Sequence, residues 1–165
     1  MKKLILAAAL LVGSSAFAAD ICQDYFACGA WTNTWYQKIN GKNTKSVTTV
    51  TITATGQNTA EFTYKTSVGG GTPGGWDLFV TFDDQGSFTM VEKNKDGSTT
   101  PYANGICYQR ICSYGMHPWL PEGEKSVIGN AGILSFPANK LELAMMVGTP
   151  SNTRKTLQVF ASTSK

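Results

Sequence analysis

Four cysteines, one histidine and a scatter of carboxylates are the residues of this chain whose types could do chemistry. Cys22, Cys28, Cys107 and Cys112 are even in number, with five residues inside the first pair and four inside the second. Neither interval is the two-residue spacing of a zinc site or a redox-active pair. In an exported chain the count points to two disulfides, which leaves no thiol for nucleophilic or metal chemistry. Proximity favours Cys22–Cys28 with Cys107–Cys112. The alternative ties the N-terminal pair to the Cys107–Cys112 region, and all three connectivities stay open. His117 is the single histidine, in a proline-flanked segment without an accompanying Gly-x-Ser-x-Gly. A Ser or Cys nucleophile needs such a base beside it, so His117 reads as an exposed loop imidazole. Glu61, Asp77, Glu92 and Glu142 could supply paired carboxylates for acid/base work, but each falls on a polar or undecided strand face. No catalytic residue, metal ligand or cofactor is assigned, and a non-enzymatic protein is expected.

The first residues set the compartment. Met1-Lys2-Lys3, the uncharged apolar run Leu4 to Val12, and Ser14-Ser15-Ala16-Phe17-Ala18 form a secretory signal with cleavage expected after Ala18. The run is shorter than the roughly 20 residues a spanning helix needs. Residues 1–18 are therefore a signal peptide, residues 19–165 one domain, and no stable membrane anchor remains after cleavage. Loss of Lys2 and Lys3 lowers the net charge from +3 to +1, which makes no electrostatic case for nucleic acid. The expected location is periplasmic or secreted.

The elements that must position these residues are strands. Ser46 to Thr55 sets Val50, Ile52 and Ala54 against Thr49, Thr51, Thr53 and Thr55, the period of two of a half-buried strand. Trp31 to Ile39 precedes it and ends at the turn dipeptide Asn40-Gly41. Ala60 to Thr66 follows it. Gly69 to Gly75 holds five glycines in seven residues and reads as a flexible loop. Trp76 to Lys93 reads as a hairpin turning at Asp83-Asp84-Gln85-Gly86. Gly105 to Tyr114 reads as one strand, in which Cys107 and Cys112 face opposite sides. A bond between them then demands a bulge or a bend. Gly115 to Asn130, with His117 and Trp119, is a long loop. Ile133 to Phe136, Leu141 to Val147 and Leu157 to Ala161 complete eight or nine strands. The fold class is all-β, a single antiparallel up-and-down barrel, which closure frees of exposed edges. A two-sheet sandwich is the alternative. Phe62, Tyr64, Trp76, Leu78, Val80, Phe82, Phe88, Met90, Leu141, Leu143, Met145, Leu157 and Val159 are expected to point inward.

Gly29-x-Trp31 opens the first strand. An exported chain of this length with that motif and about eight meandering strands resembles the calycin superfamily, which includes lipocalins and lipocalin-like bacterial barrels. The resemblance implies that Trp31 packs across the closed end, with Arg154 or Lys155 over its indole, a contact worth roughly 0.5–2 kcal/mol. Some barrels of this outline hold haem through one histidine, which would give His117 that role; the exposed loop is the simpler reading. The function expected is binding of a small apolar molecule, with Trp76, Tyr108, Trp119 and the glycine loop around the barrel mouth and inward Phe62 and Tyr64 as further ligand-binding residues. The alternative is a module that binds an exported protein, such as a hydrolase inhibitor, through residues 115–130 or the Cys22–Cys28 segment.

Overall fold

In a computed structural model the chain is described over residues 20–116, 129–137, 140–149 and 152–162. The expected signal peptide, His117 and Trp119 lie outside these residues. Ten antiparallel strands, rather than eight or nine, close into one barrel in sequence order. They are β1 (Gly29–Ile39), β2 (Lys42–Gly56), β3 (Thr59–Val68), β4 (Gly74–Phe82) and β5 (Ser87–Lys93), followed by β6 (Thr99–Tyr108), β7 (Ile111–Met116), β8 (Gly129–Ser135), β9 (Lys140–Thr149) and β10 (Asn152–Ser162). Each pairs with its sequence neighbour, and β1 meets β10 to close the wall. Among the described residues that last seam pairs at Trp31↔Ser162 and Thr32↔Ala161, against eleven paired positions between β1 and β2.

The extra strand comes from the segment read as one run from Gly105 to Tyr114. The chain reverses at Gln109-Arg110, both with positive φ (47° and 64°), the geometry of a tight hairpin turn. No glycine or asparagine marks the spot, so the turn carried no sequence signal. The reversal places Cys107 directly opposite Cys112. Their Cα atoms lie 4.0 Å apart, and the disulfide joins the two strands of one hairpin. Cys22 bonds Cys28, so both bridges are local.

A π-helical turn, Ile21–Tyr25, precedes β1 and plugs one end of the barrel. Asp20 caps it by accepting a hydrogen bond from Cys22 N at 3.0 Å. Phe26 drops from this turn into the interior with no exposure. It meets the rings of Phe62, Phe82 and Phe136 at 4.8, 5.2 and 5.8 Å. Tyr25 stacks on Phe82 at 4.4 Å. The β6–β7 turn holds the plug from outside: Arg110 Nε donates to Gln23 O at 2.9 Å, and Arg110 N donates to Asp24 O at 3.3 Å.

Gly29 leaves the plug with φ +131°, backbone that only glycine adopts readily. Trp31 follows, buried at this same end beside Phe136, its Nε1 donating to Ala27 O at 3.0 Å. The register sets the backbone of the implied cation at the far end of β10 from it. Trp31 stands beside Ser162, whereas Arg154 pairs with Val147 near the other end of β10. Eight positions at about 3.3 Å each separate them along the strand, and Lys155 is only one position nearer.

The last strand also corrects the expected inward set. Leu157 and Val159 face outward, 72% and 42% exposed, while Gln158 and Phe160 face the interior. Register decides this: Phe160 pairs with inward Leu141, and Gln158 with inward Leu143. Leu157 belongs instead to an outer row running Ile106↔Ser113↔Ile133↔Ala144↔Leu157 across five strands. Met145's side chain lies outside the described residues. The remaining expected inward residues from Phe62 to Leu143 are buried or line the cavity described next.

Candidate functional site

Inside the barrel lies a cavity of about 120 Å³. It extends from Phe26 on the plug to Trp76, and its walls are overwhelmingly apolar. Two inward glycines help to make it. A Cβ on Gly105 would stand 2.6 Å from the Phe88 ring, and one on Gly132 would stand 2.4 Å from the Tyr114 ring. Both glycines sit directly across from those aromatics, in the Phe88↔Gly105 and Tyr114↔Gly132 pairs. The rings therefore lie against the wall over backbone rather than crossing the centre. Ten strands also enclose a wider bore than eight, because barrel diameter grows with strand number.

Three of the five expected ligand-binding residues line this cavity together. Phe62 and Tyr64 alternate inward along β3, and Trp76 stands directly across from Tyr64 on β4. The Tyr64 and Trp76 rings stack with centroids 4.4 Å apart. Trp76 is 40% exposed, so this pair joins the cavity to solvent at the end away from the plug. The glycine-rich connection from Val68 to Gly74 crosses at the same end, with positive φ at Gly69 and Gly70.

Tyr108 does not join them. It sits beside the β6–β7 turn, 73% exposed, lining a polar groove outside the plugged end with Arg110 and Asp84. The same hairpin reversal that pairs the cysteines carries it there. Trp119 lies outside the described residues.

Sequence reasoning missed Tyr102, Tyr114 and Gln158, which complete the walls. Tyr102 turns inward at an irregularity in the β5–β6 register, where Met90 pairs with Ala103 but Val91 pairs with Pro101. A one-residue bulge of this kind has no composition signal of its own. Burial pushes the phenols of Tyr102 and Tyr114 above their ordinary range, and Glu92 adds to the effect on Tyr102. Gln158 looks like a surface residue between Leu157 and Val159, and only the register turns it in. Its Oε1 is buried and has no hydrogen-bond partner among the described residues.

A second polar set is satisfied internally. Ser46 and Thr48 are fully buried on β2. Ser46 Oγ accepts from Gln37 Nε2 at 2.9 Å, and Thr48 Oγ1 accepts from Trp35 Nε1 at 3.2 Å and meets Thr66 Oγ1 at 3.0 Å. This ladder braces β1, β2 and β3 from within, as buried polar groups require.

Among the described residues no cluster of histidine, cysteine or carboxylate side chains could hold a metal ion. The cavity can enclose a small apolar body and offer it aromatic faces and one amide. No protein-family model matches this chain, and no curated protein matches it at a significant level.

Proposed function

We propose that this chain is an exported, non-enzymatic carrier that takes a small apolar molecule into the interior of a calycin-like barrel. The observation that carries the reading is the apolar cavity of about 120 Å³ reached past the stacked Tyr64–Trp76 pair. Apolar cavities of comparable size, about 150 Å³, stay dry and take up single-ring hydrocarbons. Trp76 is the natural reporter. Titration with toluene should change tryptophan emission in the wild type, and Trp76→Phe should abolish most of that change. Native mass spectrometry of protein purified from its export compartment should show a mass excess that denaturation removes. A wild type that binds no apolar probe and carries no such excess would sink the reading. The two disulfides fit an oxidising periplasmic or extracellular compartment.

A second reading, binding of an exported protein, has one observation in its favour. Ile106, Ile111, Ile133 and Leu157 crowd the outer face of β6–β10, each more than half exposed. A partner docked there should be lost on Ile133→Lys, with toluene binding intact. Retention of the partner by that variant would remove this face from consideration.

A further inference from the structure

Gln158 is a polar side chain turned inward where the interior of a barrel would ordinarily hold an aliphatic one. Leu157 and Val159, its apolar neighbours, face solvent. The placement is not free to relax by a one-residue slip. Such a slip would bring Leu157 and Val159 inward but would expel Phe160, which has no exposure, and break its pairing with Leu141. Gln158 Oε1 is thereby held in the cavity wall without a hydrogen-bond partner among the described residues. Buried polar atoms are nearly always paired, and an orphan in a binding cavity is an acceptor awaiting a donor.

We infer that the natural ligand carries a hydroxyl group on a small apolar frame, and that this hydroxyl donates its hydrogen bond to Gln158 Oε1. The inference rests on the reading of the cavity as a ligand site and names the chemical class it takes. The volume limits the frame to about one six-membered ring or a short aliphatic chain, by comparison with cavities that hold benzene. The walls supply the apolar contact, from Leu78, Met90, Leu141 and Leu143, while the amide supplies orientation. This is the usual division of labour in small-molecule sites, many apolar contacts and few polar ones. Phenols and small alcohols fit this description. Carboxylates do not, because a carboxylate has no proton for Gln158 Oε1 and its charge would be buried unpaired among apolar walls.

Phenol and toluene test the inference, since they share a ring and differ in the hydroxyl. Titration calorimetry would be run with each on the full mature protein and on Gln158→Leu. The expected result is that phenol binding weakens at least tenfold in the variant, while toluene binding holds or tightens. The melting temperature of the ligand-free variant should also rise, because an unpaired buried amide has been replaced by an apolar side chain. Equal loss of both probes, or loss of neither, would overturn the role of Gln158 and leave the cavity reading standing. A lowered melting temperature would overturn it too, by showing that the amide has a partner of its own. Failure of both probes to bind the wild type would instead remove the cavity reading, and this inference with it. Should Gln158→Leu not fold, Gln158→Met keeps the length of the side chain. A phenol-specific shift of the Gln158 side-chain amide resonances then reads the same contact in the wild type, and its absence would overturn the inference.

Discussion

Phe26→Ala tests the plug and the cavity together. Phe26 is fully buried and touches three other rings. An aromatic side chain buries at least about 150 Å². At ~25 cal/mol per Å² its loss removes nearly 4 kcal/mol, within the range of about 3–5 kcal/mol for Phe→Ala in cores. Collapse cannot recover much of this, because Phe26 follows a turn tied to β1 by the Cys22–Cys28 bridge and held by Arg110. The void would instead open into the existing cavity, since Phe26 forms its floor. Urea unfolding with the disulfides intact, followed by far-ultraviolet circular dichroism, should show a loss of about 4 kcal/mol. The same variant should accept two-ring hydrocarbons that the wild type rejects. Gln23→Ala is the control, because its exposed side chain lies on the same turn while its carbonyl keeps the Arg110 bond; its effect should stay within about 0.5 kcal/mol. A Phe26→Ala cost below about 1 kcal/mol, outside the range for buried aromatics, would refute the docking of the turn into the barrel.

Three further outcomes follow from the same geometry. Removal of either disulfide as a Cys→Ser pair should lower stability by about 2 kcal/mol, the loop-closure value for rings this short; an unchanged urea midpoint for Cys22→Ser/Cys28→Ser would show that the plug is held without its bridge. Leu157→Thr should stay within about 0.5 kcal/mol of wild type, whereas Phe160→Ala should cost about 3–5 kcal/mol; the opposite order in urea unfolding would mean that β10 is turned over. Stability should fall as pH rises above 10, because burial holds the Tyr102 and Tyr114 phenols above their ordinary value of 10.0. In that window the unfolded chain has released protons that the native state still binds, so the contribution is complete below pH 10 and is lost above it. Tyr102→Phe and Tyr114→Phe should each flatten that alkaline decline, and an unaltered slope in either would show that its phenol is not buried.

Much of the wall was legible because period-two patterning is local. The inward alternation of Phe62, Tyr64, Trp76, Leu78 and Val80, the Asn40-Gly41 turn and the all-antiparallel meander follow from residue types within a few positions of each other. The cysteine count likewise pointed to two bridges. What the chain could not announce is whatever depends on partners distant in sequence. The Gln109-Arg110 reversal is held by hydrogen bonds to residues 22–24, more than 80 positions away, and no local propensity marks it. Missing that turn cost one strand, left the Cys107–Cys112 pairing open and put Tyr108 at the wrong end.

The face of β10 shows the division most plainly. Leu157, Val159 and Ala161 form a regular apolar alternation, and residue types argue that they face inward. The tertiary structure reverses the choice, because Phe160 fills the plugged end and Ser162 must stand beside Trp31 to close the barrel. One strand can bury only one of its two faces, and closure of the ring selects which. Composition and periodicity sufficed for a disulfide-bonded barrel with an aromatic interior. The inward amide of Gln158, the glycines beneath the Phe88 and Tyr114 rings, and the space they leave were decided by registers summed around ten strands.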